Sequence, residues 1–171
     1  MISSAYRPFS TCFFSTPMLR DALYPLAQFN IAHMRYPRSS PPMISYQEGM
    51  DAVFPVALSW PGFIWTMDDD EIMSPAERCY GPNVAANISV WASLESLRSF
   101  MECPPHRVVM NRGTEWFAES EEPSYVFWWI DAGHRPSFDE AHHRLTMLRR
   151  LGPTENAFTL ECPFHHPGNA P

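Results

Sequence analysis

Two segments constrain this chain more than any others: residues 63–67 (FIWTM) and 124–130 (SYVFWWI) carry large apolar side chains at successive positions. Side chains on a strand point alternately to its two faces, so strands of this kind are apolar on both. An antiparallel sheet with helices on one side normally keeps a polar outer face. Two covered faces require something to pack on the second, most simply another subunit. The expectation is a homodimer formed sheet to sheet, of about twice the 19.7 kDa chain mass.

The rest of the pattern supplies a frame. Residues 26–32 (LAQFNIA) alternate as a first strand, and the apolar positions Met43, Tyr46, Met50, Val53 and Phe54 recur at helical spacing, with Pro55 inside the pattern. Pro61-Gly62 turns the chain into FIWTM, residues 68–82 read as an acidic, proline-bearing loop, and 84–91 (VAANISVW) alternate as a third strand. A helix capped by Ser93 runs to about Met101, Pro104-Pro105 breaks it, and a second helical piece covers 106–118. After SYVFWWI, Ser137 and Glu140 form a capping box for a helix that Gly152-Pro153 stops. Residues 157–160 suit a short fifth strand.

The order β-α-β-β-α-β, followed by a further helix, predicts an α+β domain of the ferredoxin-like split βαβ kind. Residues 23–161 form that single domain, 1–22 read as a flexible extension and 162–171 as a loose tail.

A formal charge of −7 disfavours nucleic acid and anionic membrane as partners, because phosphate recognition needs a basic face. All twelve basic residues are arginine, which excludes a lysine Schiff base and a P-loop lysine. Cys12, Cys79, Cys103 and Cys162 form no CxxC pair and suit reduced thiols; with no run of about 20 apolar residues, a cytoplasmic setting is expected. Neither His142-His143 nor His165-His166 has chelating spacing on one element, so no metal is expected. No nucleotide loop or hydrolase elbow is present, and no cofactor is expected.

The motifs LAQFNIA, PGFIW, NISVWASLESLRSF, EWF, FWWIDAGHRPSFDEAHHRL and GPTENAF, in that order over about residues 24–160, resemble a widespread domain family of unknown function. That family belongs with the dimeric α+β barrel proteins, and the resemblance implies that fold. A more distant likeness reaches the antibiotic-biosynthesis monooxygenases, which carry Asn and Trp four apart on a strand, then a helix, then His. Asn87, Trp91 and His106 stand in that order here. Members oxygenate or cyclise aromatic polyketide intermediates, often without metal or flavin.

On the third strand Asn87, Ser89 and Trp91 share one face, as do Gln28 and Asn30 on the first, which is its neighbour in a ferredoxin-like sheet. Directed amides and hydroxyls beside an aromatic wall suit a flat phenolic or enolic ligand. Amide donors steady a developing oxyanion. His106 is the candidate proton acceptor. Trp65 and Arg107 complete the expected binding set. The plainer reading gives the polar strand residues to bridging buried backbone, His106 and Arg107 to a solvated helix face, and Trp65 to the core. The Gly133-His134-Arg135-Pro136 turn reads as structural. The leading expectation is a small-molecule enzyme of secondary metabolism, a cofactor-independent oxygenase or cyclase. The rivals are a heme enzyme of the same superfamily and a non-catalytic dimeric binding or scaffold module.

Overall fold

A computed structural model describes residues 24–166; the expected N-terminal extension lies outside them. Four antiparallel strands form one sheet: β1 (Leu26–His33), β2 (Phe63–Thr66), β3 (Val84–Trp91) and β4 (Tyr125–Trp129), in the spatial order β2-β3-β1-β4. The helices are α1 (Pro41–Ser59), α2 (Asp69–Tyr80), α3 (Leu94–Met101), α4 (Pro104–Asn111), the single turn α5 (Gly113–Trp116) and α6 (Phe138–Leu151). This is the ferredoxin-like α+β arrangement with an extra C-terminal helix, as the sequence pattern implied.

Alternation divides β1 and β3 cleanly. Ala27, Phe29 and Ile31 join Val84, Ile88 and Val90 in a core closed by Ile72 and Ala76 of α2 and by Phe138, Ala141, Leu145 and Leu148 of α6. The opposite face carries Leu26, Trp91 and Phe127 and is closed by Met43 and Val53 of α1, Leu97 and Phe100 of α3, Val109 of α4 and Trp116 of α5. Both sheet faces are therefore covered by the chain's own helices. These helices take up the double-sided apolarity of β4, whereas no residue of β2 is fully buried and Ile64 is 52% exposed, so β2 is not covered within one chain.

Residues 69–80 are helix rather than loop. Asp69, Asp70 and Glu71 occupy the positive first turn, Arg78 the last, and Ile72 and Ala76 point inward four apart. Pro75 sits inside this helix, as Pro55 does in α1. The expected helix 106–118 is two pieces, α4 and α5, parted at Arg112. The expected fifth strand reduces to isolated bridges, Phe127 with Phe158 and Thr154 with Ala157.

In the expected tail Phe164 and His166 pack against the domain while Cys162, Pro163 and His165 are exposed, and residues 167–171 lie outside the described residues. The Trp129 indole donates to the Phe164 carbonyl at 2.8 Å, and the His166 ring lies 5.5 Å from both Tyr24 and Trp129. Gly62, at φ +88°, makes the turn into β2, and its carbonyl accepts from the Ala92 amide at 2.6 Å. Among the described residues no helix is long and apolar enough to cross a membrane.

Candidate functional site

The register brings most of the sequence-derived residues together. Gln28 lies opposite Ser89 and Asn30 opposite Asn87 across the β1–β3 pair. All four point to the face covered by α1, α3, α4 and α5, together with Trp91. The Trp91 indole donates to the Ser89 hydroxyl at 3.0 Å, that hydroxyl donates to Gln28 Oε1 at 2.7 Å, and Gln28 Nε2 donates to Asn30 Oδ1 at 2.6 Å. Each link polarises the next, and the chain runs from buried Trp91 to half-buried Asn30.

Asn87 is also half-buried and donates through Nδ2 to Thr66 Oγ1 at 3.3 Å. Among the described residues, neither the Asn30 amide hydrogens nor the Asn87 carbonyl oxygen has a side-chain partner. Two residue pairs farther along, on the same face, Ala32 is opposite Ala85, both partly exposed. Tyr125, opposite Asn30 on β4, extends the polar row, and its hydroxyl donates to the Glu161 carboxylate at 2.7 and 2.8 Å. Burial and that carboxylate push the Tyr125 hydroxyl up to about 12. Thr66 and Tyr125 were missed from sequence, because only the register of four strands places them in this row.

His106 is not part of that row. The Phe100 ring lies between it and Trp91, with ring centroids 4.9 Å and 5.0 Å away respectively. Asn87 in turn lies four residues from Trp91, roughly 13 Å along an extended strand. His106 Nδ1 lies 3.1 Å from the Met101 carbonyl. A carbonyl only accepts, so Nδ1 carries the hydrogen and Nε2 holds the lone pair of the neutral ring. Burial holds the His106 pKa below the usual histidine range, against the pull of Met101 and Glu102. The imidazole is a neutral base at pH 7.

Trp65 faces away from the row. A register shift between Phe63 and Trp65 breaks the alternation of β2, so Phe63 packs edge-on against Trp91 at 5.3 Å while Trp65 packs with the α2–α6 layer. There it lies 5.9 Å beneath the Arg135 guanidinium. Arg107 is exposed and pairs with Glu102 at 3.6 Å, in keeping with a solvated helix face. A shallow groove on the outer side of α3, lined by Leu94, Glu95, Arg98, Ser99 and Glu102, is separate from the row. Among the described residues no three His, Cys, Asp or Glu side chains converge on a position that could hold a metal.

The fold has distant structural relatives. A putative antibiotic biosynthesis monooxygenase from Chloroflexus aurantiacus J-10-fl is 15% identical, with a TM-score of 0.43 over 65% of this chain and 97% of that one. SnoaB, a cofactor-independent oxygenase from Streptomyces nogalater, is 11% identical, with a TM-score of 0.40 over 66% and 96%. A conserved protein from Methanosarcina mazei Go1 is 8% identical, with a TM-score of 0.44 over 65% and 95%. No curated protein matches the chain significantly. A family model does match, over residues 25–171, and the chain belongs to that family, the domain of unknown function DUF3291.

Proposed function

We propose that the protein is a small-molecule enzyme, an oxygenase or cyclase without a bound cofactor, acting on an aromatic or polyketide-like intermediate at the Asn30–Asn87 row. One observation carries this reading. Asn30 ends a polarised hydrogen-bond chain with amide hydrogens to give, and Asn87, directly across, holds a carbonyl oxygen able to accept. A donor and an acceptor side by side complement a hydroxyl next to a carbonyl, the keto–enol unit of phenolic and polyketide molecules.

In this reading Asn30 steadies the enolate oxygen as charge develops, and Asn87 holds the neighbouring hydroxyl. Gln28 and Ser89 act by orienting Asn30, and Trp91 closes the buried end of the chain. In the oxygenase case the substrate carbanion reduces dioxygen: a methylene becomes a carbonyl, and the second oxygen atom leaves as water. His106 enters as a separate base, since Phe100 stands between it and the row.

The test is oxygen uptake by the purified protein with a set of tricyclic phenols, without added flavin or metal. Uptake is expected, and Asn30→Ala should lower it roughly 10²–10³-fold, the usual worth of an oxyanion donor. Unchanged uptake in a folded Asn30→Ala variant sinks the assignment.

A further inference from the structure

At the head of α1 a half-open cavity of about 300 Å³ is lined by Met34, Arg38, Met43, Ile44 and Tyr46, with Gln47, Glu48 and Asp51 along one side; Arg38, Ile44 and those last three are exposed at its mouth. Its walls are largely apolar, and Tyr46 and Arg38 bring hydrogen-bond donors to it, while the Gln47 amide is engaged by Asp51. The Tyr46 hydroxyl makes no hydrogen bond among the described residues, while its ring is fixed against Trp116 at 5.4 Å and Phe117 at 4.9 Å. Burial raises its pKa, so the hydroxyl keeps its proton. Arg38 spends one guanidinium nitrogen on the Val84 carbonyl at 3.1 Å, with the Met73 sulfur at 3.9 Å, which fixes the group and leaves other N–H donors over. On the acceptor side, Asp51 already takes a hydrogen bond from Gln47 at 3.0 Å.

We propose that this cavity is a binding site for a compact, uncharged molecule of one or two rings that presents a carbonyl oxygen to Tyr46 and Arg38. Volume sets the size, since about 300 Å³ is the lower end of small-molecule sites. The methionines and Ile44 set the apolar body, and methionine adapts to irregular ring outlines. Charge sets the neutrality: Glu48 and Asp51 outnumber Arg38 around the cavity, so a full anion meets net repulsion while a neutral acceptor does not. The site is independent of the Asn30–Asn87 assignment, because its test reads binding and not turnover.

The experiment follows the methionine methyl resonances of the full chain, ¹³C-labelled, during titration with acetophenone, ethylbenzene and benzoate. Acetophenone should shift the Met34 and Met43 methyls and bind more tightly than the other two. Tyr46→Phe and Arg38→Met, each checked for folding by circular dichroism, should each weaken acetophenone about three- to tenfold, the worth of one hydrogen bond. The proposal is overturned if ethylbenzene or benzoate binds as well as acetophenone. It is equally overturned if either variant binds acetophenone unchanged, or if those methyls do not move.

Discussion

Trp91 and Ser89, two residues apart on β3, are joined by a 3.0 Å hydrogen bond from indole to hydroxyl on the buried face of the strand. The same hydroxyl donates onward to Gln28, so one oxygen serves two buried partners. Ser89→Ala strands both the indole N–H and Gln28 Oε1, which costs about 1–3 kcal/mol for each group left unsatisfied. Pairing it with Trp91→Phe removes the stranded donor. The double variant should then lose less than the sum of the two single losses. Urea denaturation midpoints of the four proteins measure this, and strict additivity would mean that the bond contributes nothing.

His106 carries a pH prediction. Its folded pKa lies below the unfolded histidine value near 6.5 because burial disfavours the charged ring. Above about 6.5 the ring is neutral in both states and costs nothing. As pH falls from there through the lowered folded value, the unfolded chain binds more protons and stability declines. His106→Asn should therefore shrink the drop in Tm between pH 7.5 and pH 5.5. A drop of the same size in both proteins would contradict the sign. An Nδ1–H tautomer, seen in the histidine nitrogen spectrum, checks the Met101 contact separately.

Gly62 is held at φ +88° in the turn before β2, and a methyl group added there would overlap the Ser96 side chain at the start of α3. Gly62→Ala combines left-handed backbone strain of about 1–2 kcal/mol with that clash. Gly62→Ala with Ser96→Gly should recover the steric part and leave the backbone part. Thermal melts of the pair separate the two. Full recovery would show that the backbone conformation costs nothing.

The elements that were legible in the sequence are those whose local signals agree. β1 and β3 alternate without interruption, and α6 has its capping box, apolar stripe and terminal Gly152 in order. α2 carries good charge placement and an inward pair, but Pro75 outweighed them on local reading; its packing on the sheet face beneath Ala27 and Phe29 is what holds it helical. The candidate row was legible only in part. Period two and the adjacency of the first and third strands place Gln28 and Asn30 beside Asn87 and Ser89, but only the strand register sets Asn30 opposite Asn87 and adds Thr66 and Tyr125. Trp65 went to the wrong face because a bulge in β2 leaves no mark on so short an apolar run. The order strand, short helix, histidine brings His106 back to the sheet face that holds Trp91, but it does not show that the Phe100 ring fills the space beside Trp91 and that His106 packs on that ring.

Glu140 is where the sequence reading of a structural turn meets a chemical reason. Its backbone amide donates to the Ser137 hydroxyl at 3.2 Å, which starts α6. One of its carboxylate oxygens accepts from the fully buried Trp128 indole at 2.9 Å, and the other lies 2.7 Å from His134 Nε2. The Gly133–Pro136 turn is thus tied to the core by its own histidine, and Trp128 has its acceptor from the same side chain. Glu140→Ala leaves the Trp128 N–H in the core without that acceptor and should cost about 1–3 kcal/mol. Glu140→Gln keeps an amide oxygen at the same reach and should retain most of the stability. Denaturation midpoints distinguish the two roles: equal losses in both variants would assign the effect to the carboxylate charge, whereas a loss confined to Glu140→Ala assigns it to the indole bond.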